Sequence, residues 1–118
     1  MGSRRAMILV VEDNDTCREG LAVLLRGEGY EVIPLRHGQE ALDYLEGAPT
    51  PDLILLDMLM PVLDGWNFLK RLRLPVPVII ATGTILTPEC AASHGCVGFL
   101  RKPIGAEALF TEVRRCLN

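Results

Sequence analysis

Short, wholly aliphatic runs alternate along the chain with segments whose apolar positions recur at helical spacing. The first run, Met7-Ile8-Leu9-Val10-Val11, is apolar at every position. A strand of that kind is covered on both faces, as in a parallel sheet. Cys17, Leu21, Leu24 and Leu25 then fall at i, i+4, i+7 and i+8, one helical stripe, stopped by Gly27 and Gly29. Tyr30 to Leu35 reads as a second strand. Pro34 within it cannot donate to a ladder, which puts this strand at a sheet edge. Gly38, Ala41, Leu42 and Leu45 mark a second helix, closed by Gly47. Leu53-Ile54-Leu55-Leu56-Asp57 is a third strand, ending in a carboxylate, and Gly65, Phe68, Leu69 and Leu72 pattern a third helix. Val76 to Ala81 is the fourth strand. Thr87-Pro88-Glu89 opens a short helix that reaches about Ser93, with threonine as cap and proline in the first turn. Val97 to Leu100 is the fifth strand, and Leu109, Val113 and Cys116 or Leu117 mark the last helix.

This strict alternation predicts an α/β fold: a five-stranded parallel sheet, right-handed crossovers and five helices on its two faces. In such sheets ligands bind beyond the carboxyl ends of the strands, at the topological switch point. The residues just after each strand are therefore where chemistry should be sought.

Composition narrows the picture. The 118 residues suit one domain, and 49% hydrophobic with 23% charged residues is globular usage that excludes disorder. A net charge of -3 leaves no electrostatic footprint for nucleic acid. No apolar run reaches the roughly 18 residues of a membrane span, and no secretory leader pattern opens the chain. Cys17, Cys90, Cys96 and Cys116 lack metal-ligand spacing. They read as small buried hydrophobes in a reducing cytoplasm. Met1-Gly2-Ser3 looks like an expression-vector remnant, so residues 1–6 are set apart as a vector-derived or disordered lead-in and residues 7–118 as the domain.

At the strand ends stand Glu12, Asp13, Asp57, Thr82 and Lys102. Taken singly, an acidic pair after a strand is often a solvated loop or cap, and Lys-Pro in a loop is common. Taken together, three carboxylates at one edge repel one another unless a cation is present. A hard divalent ion with oxygen ligands answers that need, and Mg²⁺ is the natural candidate. A lysine and a hydroxyl beside it make a place for an oxygen-rich anion such as a phosphoryl group. One carboxylate would then be the nucleophile of aspartyl-phosphate chemistry, and Asp57, central and alone on its strand end, fits best.

The segments ILVVEDND, DLILLDMLMPVLDGWNFLKRLR, VPVIIATGT and GFLRKPI resemble, in order, the receiver (response-regulator, CheY-like) domains of two-component signalling. The resemblance runs from about Met7 to the end. It implies the flavodoxin-like doubly wound sheet with strand order 2-1-3-4-5. It makes Asp57 the phosphoacceptor, with Asp13, Asp57 and the backbone carbonyl of Leu59 as Mg²⁺ ligands and Glu12 acting through water. Thr82 would hydrogen-bond the phosphoryl group, and Lys102 would pair with it. Pro61 and Gly65 match the turn after the acceptor strand, and Pro103 matches a position often preceded by a cis peptide. Phe99 takes the place of a switch aromatic, although as a residue alone it reads as a core aromatic.

The implied partners are a sensor histidine kinase or phosphotransfer domain and a downstream protein. Direct nucleic-acid binding by this domain is not expected. The implied role is a signalling switch in the cytoplasm, not an enzyme acting on a separate substrate. It would be either a stand-alone regulator or a receiver excised from a hybrid kinase or larger response regulator.

Departures from the family pattern are also legible. The stretches from Asp57 to Thr82 and from Thr82 to Lys102 are short, which predicts a truncated third helix or a tightened loop, and a stunted fourth helix. Phe99 lacks the hydroxyl of the commoner tyrosine, and so has no polar reason to face outward. Val97-Gly98 replaces an acidic pair of the DNA-binding subfamily that dimerises through the last helices and strand, which argues against that interface. Two other classes compete. A metal-dependent phosphohydrolase would want a second acid where Leu59 stands. An unphosphorylated binding module would have no use for all five strand-end residues.

Overall fold

The structure, a computed structural model, describes residues 5–58, 64–83 and 86–117. Strands β1 (Met7–Val11), β2 (Glu31–Leu35), β3 (Leu53–Asp57), β4 (Val78–Thr82) and β5 (Gly98–Arg101) alternate with helices α1 (Asp15–Gly27), α2 (Gly38–Gly47), α3 (Gly65–Arg71), α4 (Pro88–Ser93) and α5 (Ala106–Leu117). Every strand pairing is parallel, and the order across the sheet is 2-1-3-4-5. The chain therefore reverses its direction of travel between β1 and β3, which puts the switch point at their carboxyl ends.

The aliphatic runs are continuous because both faces of the sheet are covered. β1, β3 and β4 are buried at every residue. On one face Leu9, Ile54, Leu56 and Ile80 pack with Leu45 of α2, Phe68 of α3 and Ala91 of α4. On the other Ile8, Val10, Leu55 and Ile79 pack with Leu25 of α1 and Leu109 and Val113 of α5. Side chains alternate between these cores because successive strand residues point to opposite faces.

Three strand boundaries shift from the sequence expectation. β2 begins at Glu31 because the Tyr30 N–H donates to the Leu25 carbonyl, closing the end of α1. β4 runs from Val78 to Thr82, so Thr82 is its last residue and not the first of the loop. Val76 is held in a turn by its bond to the Leu74 carbonyl, and Pro77 has no N–H to give. β5 begins at Gly98 and extends through Arg101. The cysteine expectation also needs correction: Cys96 is buried, but Cys17, Cys90 and Cys116 are only partly so, and no disulfide joins the four. The last three lie on helices whose apolar stripe they border without sitting at its centre.

α3 has 7 residues and α4 has 6, as short as the sequence implied. Asp64 caps α3 by accepting the Asn67 N–H, and Thr87 caps α4 by accepting the Cys90 N–H. The early end of α3 opens a hollow of about 500 Å³ lined by Leu42, Leu45, Leu72 and Leu74, with Arg71 and Arg73 beside it.

Both edge strands are guarded. β2 carries Pro34 and pairs only with β1. On β5 the Phe99 N–H donates to Glu112 of α5 at 2.9 Å, and Arg115 donates to the Val97 carbonyl at 2.7 Å while pairing with Glu112. Exposed strand edges invite pairing with other chains, and side chains that occupy their polar groups prevent it. Gly98 makes room for this brace: a Cβ there would stand 2.7 Å from Glu112 Oε2 and 2.9 Å from Ile79 Cγ1.

The Arg115 guanidinium holds the Glu112 carboxyl below its ordinary value of 4.5, against burial and with help from the Phe99 N–H. A depressed carboxyl contributes stability that is present above its unfolded pKa and lost as pH falls through the folded one. Urea midpoints should therefore favour the native protein over Glu112→Gln near neutrality. The gap should close as pH drops below 4.5. A gap independent of pH would show that the ion pair contributes nothing.

Candidate functional site

Parallel pairing brings all five strand-end residues to one edge. Glu12 and Asp13 follow β1, Asp57 ends β3, Thr82 ends β4 and Lys102 follows β5. The Glu12 N–H donates to the Leu35 carbonyl at 3.0 Å and so continues the β1–β2 ladder. Its side chain, 2% exposed, turns inward. One oxygen from each of Glu12, Asp13 and Asp57 lies within 4.8 Å of the others. Glu12 and Asp57 are buried, while Asp13 is exposed and leaves the group open to solvent.

Lys102 is the counter-charge. Its Nζ is 2.5 Å from Glu12 Oε1 and 3.7 Å from Asp57 Oδ2. Burial pulls the Lys102 ammonium down, but the Glu12 hydrogen bond and the charges of Asp57 and Glu12 outweigh it and hold its pKa above 10.5. Lys102 is therefore cationic throughout the neutral range. Three carboxylates against Lys102 and the nearby Arg18, which Asp15 also pairs, still leave formal negative charge at the edge.

The oxygens of Glu12 are already engaged. Oε1 also accepts the Cys17 thiol at 3.4 Å, and Oε2 accepts the Asn14 N–H at 3.1 Å. Asn14 in turn caps α1 through the Cys17 N–H. Burial, and then the Glu12 charge, push the Cys17 thiol up to about 11. It is a neutral donor and not a nucleophile. Among the described residues, the donor set facing the open side is hard carboxylate oxygen, the kind that suits Mg²⁺.

Thr82 is fully buried, one residue beyond the Ala81 that pairs with Asp57. Its carbonyl accepts the Lys102 N–H at 2.9 Å, tying the ends of β4 and β5 together. The Lys102–Pro103 peptide is cis. Gly65 begins α3 where a Cβ would stand 2.8 Å from Met58 Cα, so the chain returns tightly after β3. The Leu59 carbonyl and Pro61 lie outside the described residues.

Phe99 is partly buried. The Arg101 guanidinium stands 5.0 Å from its ring centroid, a contact the sequence did not show. The ring's negative face attracts a cation, which a phenyl ring offers without a hydroxyl. Arg101 also donates to the Leu86 carbonyl at 2.6 Å, in the connection from β4 to α4.

Arg18 was not singled out by the sequence, where it is one more charged residue on an amphipathic helix. Its side chain is 13% exposed. Nη1 donates to the Glu12 carbonyl at 2.9 Å and, over a longer 3.4 Å, to the Asp13 carbonyl. Nη2 donates to Asp15 Oδ1 at 2.5 Å.

A doubly wound sheet with an acidic cluster and a lysine at its switch point defines a class, and comparison with known proteins places the chain within it. Residues 8–114 match the family described as Response regulator receiver domain. Over 116 residues the chain is 35% identical to the response regulator MprA of Mycobacterium tuberculosis (strain ATCC 25618 / H37Rv), covering 94% of this chain and 50% of that protein. MprA of Mycolicibacterium vanbaalenii matches equally, at 35% identity. The chain thus spans about half the length of the curated relatives it matches. Chemotaxis protein CheY4 of Vibrio cholerae superposes with a TM-score of 0.87 at 31% identity, over 97% of this chain and 100% of that one. The signal receiver domain of a histidine kinase from Syntrophus aciditrophicus gives 0.83 at 34% identity, over 95% and 89%. This chain belongs to the response regulator receiver domain family of two-component signalling.

Lys102→Met should leave buried Glu12 without its closest cation. A buried polar group left unpaired costs about 1–3 kcal/mol, more when charged. The 25% exposure of Lys102 keeps the expected loss below the roughly 3–5 kcal/mol of a fully buried pair. Urea unfolding without metal measures it. Unchanged stability would mean that Lys102 does not offset the carboxylates.

Proposed function

We propose that this domain is a phosphorylation-dependent switch. Asp57 accepts a phosphoryl group from a sensor histidine kinase or phosphotransfer domain in a Mg²⁺-dependent reaction. The observation that carries the reading is the meeting of Glu12, Asp13 and Asp57 oxygens within 4.8 Å, with Lys102 3.7 Å from Asp57. Asp13 and Asp57 would hold the metal directly, with the Leu59 carbonyl. Glu12 would act through water, which agrees with its oxygens being taken by Lys102, Cys17 and Asn14. Bound Mg²⁺ would neutralise charge on the transferring phosphoryl oxygens.

An Asp57 carboxylate oxygen attacks phosphorus in line. The O–P bond forms as the P–N bond of phosphohistidine breaks, and the electron pair leaves on the imidazole nitrogen. Lys102 stands beside Asp57 to pair with the phosphoryl oxygens, as phosphoryl transfer requires of nearby cations. The Thr82 hydroxyl turns toward the new group, and the space it leaves admits Phe99. The outer face near α4 and β5 then reads differently to a downstream protein, in the manner of a population shift biased by a covalent ligand. The domain catalyses a change in its own state and processes no other substrate. No helix among the described residues is long and apolar enough to cross a membrane, and the proposed setting is the cytoplasm.

With Mg²⁺ and phosphoramidate, intact-mass spectrometry should show one added phosphoryl group on the native protein and none on Asp57→Asn. Equal labelling of both would refute the assignment of Asp57.

Thr82→Ala should separate chemistry from signalling. It should still gain the phosphoryl group, while NMR shifts around Phe99 should move on phosphorylation only in the native protein. The coupling so broken is of the order of 1–3 kcal/mol in allosteric proteins. Equal movement in both proteins would rule out a link from Thr82 to Phe99.

A further inference from the structure

Asp13 is exposed, so the position of its carboxylate depends on how firmly its main chain is held. Asn14 caps α1 and bonds back to Glu12. A further hold comes from Arg18, one turn into α1. Its side chain is 13% exposed, and it reaches back across the strand-to-helix turn. One guanidinium nitrogen serves the carbonyls of both Glu12 and Asp13, and the other serves Asp15. A planar fork with fixed donors fastens consecutive carbonyls in a way that a flexible ammonium does not.

We propose that Arg18 is a positioning residue for the divalent-cation site: it locks the turn that carries Glu12 and Asp13 so that their carboxylates converge with Asp57. This rests on the reading of the cluster as a Mg²⁺ site. Two effects of Arg18 oppose each other. Its positive charge lies close to the carboxylates and repels an incoming cation. Its hydrogen bonds hold the ligands in register, and partners that orient metal ligands are typically worth 10- to 100-fold in affinity. The inference is that orientation outweighs repulsion. The sign of the change on removing Arg18 therefore decides between them.

Calorimetric titration with Mg²⁺ alone, on native protein, Arg18→Met, Arg18→Lys and Asp13→Asn, tests this. Arg18→Met should bind Mg²⁺ about 10- to 100-fold more weakly despite carrying one positive charge fewer. Arg18→Lys keeps the repelling charge and loses the fork, so it should bind Mg²⁺ more weakly than the native protein and no more tightly than Arg18→Met. Thermal unfolding without metal, run in parallel, separates positioning from a purely structural role. A lower unfolding midpoint with native Mg²⁺ affinity overturns the inference, and so does equal or tighter binding by Arg18→Met. Should Arg18→Met not fold, Arg18→Lys decides alone: weaker binding supports the inference, and native affinity overturns it. If Asp13→Asn titrates like the native protein, the metal-site reading itself is wrong. Native affinity in the Arg18 variants beside a weakened Asp13→Asn refutes only the role of Arg18.

Discussion

The ammonium of Lys102 lies 2.5 Å from Glu12 and 3.7 Å from Asp57, and much of this domain is arranged around that contact. A parallel sheet sends every strand end to one side, so the residues at or just after the ends of β1, β3, β4 and β5 come together there. Carboxylates brought together in this way repel, and burial of Glu12 and Asp57 sharpens the repulsion by removing water. One lysine does not balance three carboxylates. The edge therefore keeps formal negative charge, and its carboxylate oxygens could hold a metal ion.

The surroundings keep this edge poised. Arg18 and Asn14 fasten the turn after β1, and the Thr82 carbonyl bonds the Lys102 N–H across the neighbouring strand ends. Away from the cluster the structure is lighter. α3 and α4 each span about two turns, and the rings of Trp66 and His94, 4.4 Å apart, join one helix to the end of the other. Few buried contacts per helix make such elements inexpensive to move relative to the sheet. Arg101 touches both the Phe99 ring and the Leu86 carbonyl, so the aromatic side chain and the β4–α4 connection share one anchor.

Most of the fold was legible in the sequence because its strands carry an unambiguous pattern. Met7 to Val11 and Leu53 to Leu56 are apolar without alternation, which only a doubly covered sheet explains. Pro34 marked the edge strand correctly, and the shortness of α3 and α4 followed from the spacing of Asp57, Thr82 and Lys102. Boundaries slipped where a proline or a helix-closing bond competed with the sheet, as at Pro77 and Tyr30. The convergence of Glu12, Asp13, Asp57 and Lys102 was legible because topology alone dictates it. Arg18 and Arg101 were not. Each acts on main-chain carbonyls or a ring face through a long side chain, and no spacing rule separates such an arginine from a solvated one. The partial exposure of Cys17, Cys90 and Cys116 was missed for a related reason: cysteine reads as apolar whether it sits at the centre or at the border of a helical stripe.

We propose that one sheet edge holds a divalent cation and a phosphoryl group against the same aspartate. A crystal structure grown with Mg²⁺ and fluoroberyllate, a stable mimic of an aspartyl phosphate, addresses it most directly. Beryllium should be bonded to a carboxylate oxygen of Asp57, with Lys102 on a fluorine and Mg²⁺ in contact with both Asp13 and Asp57. Fluoroberyllate bonded to a different carboxylate, or Mg²⁺ bound away from Asp13 and Asp57, would contradict the account.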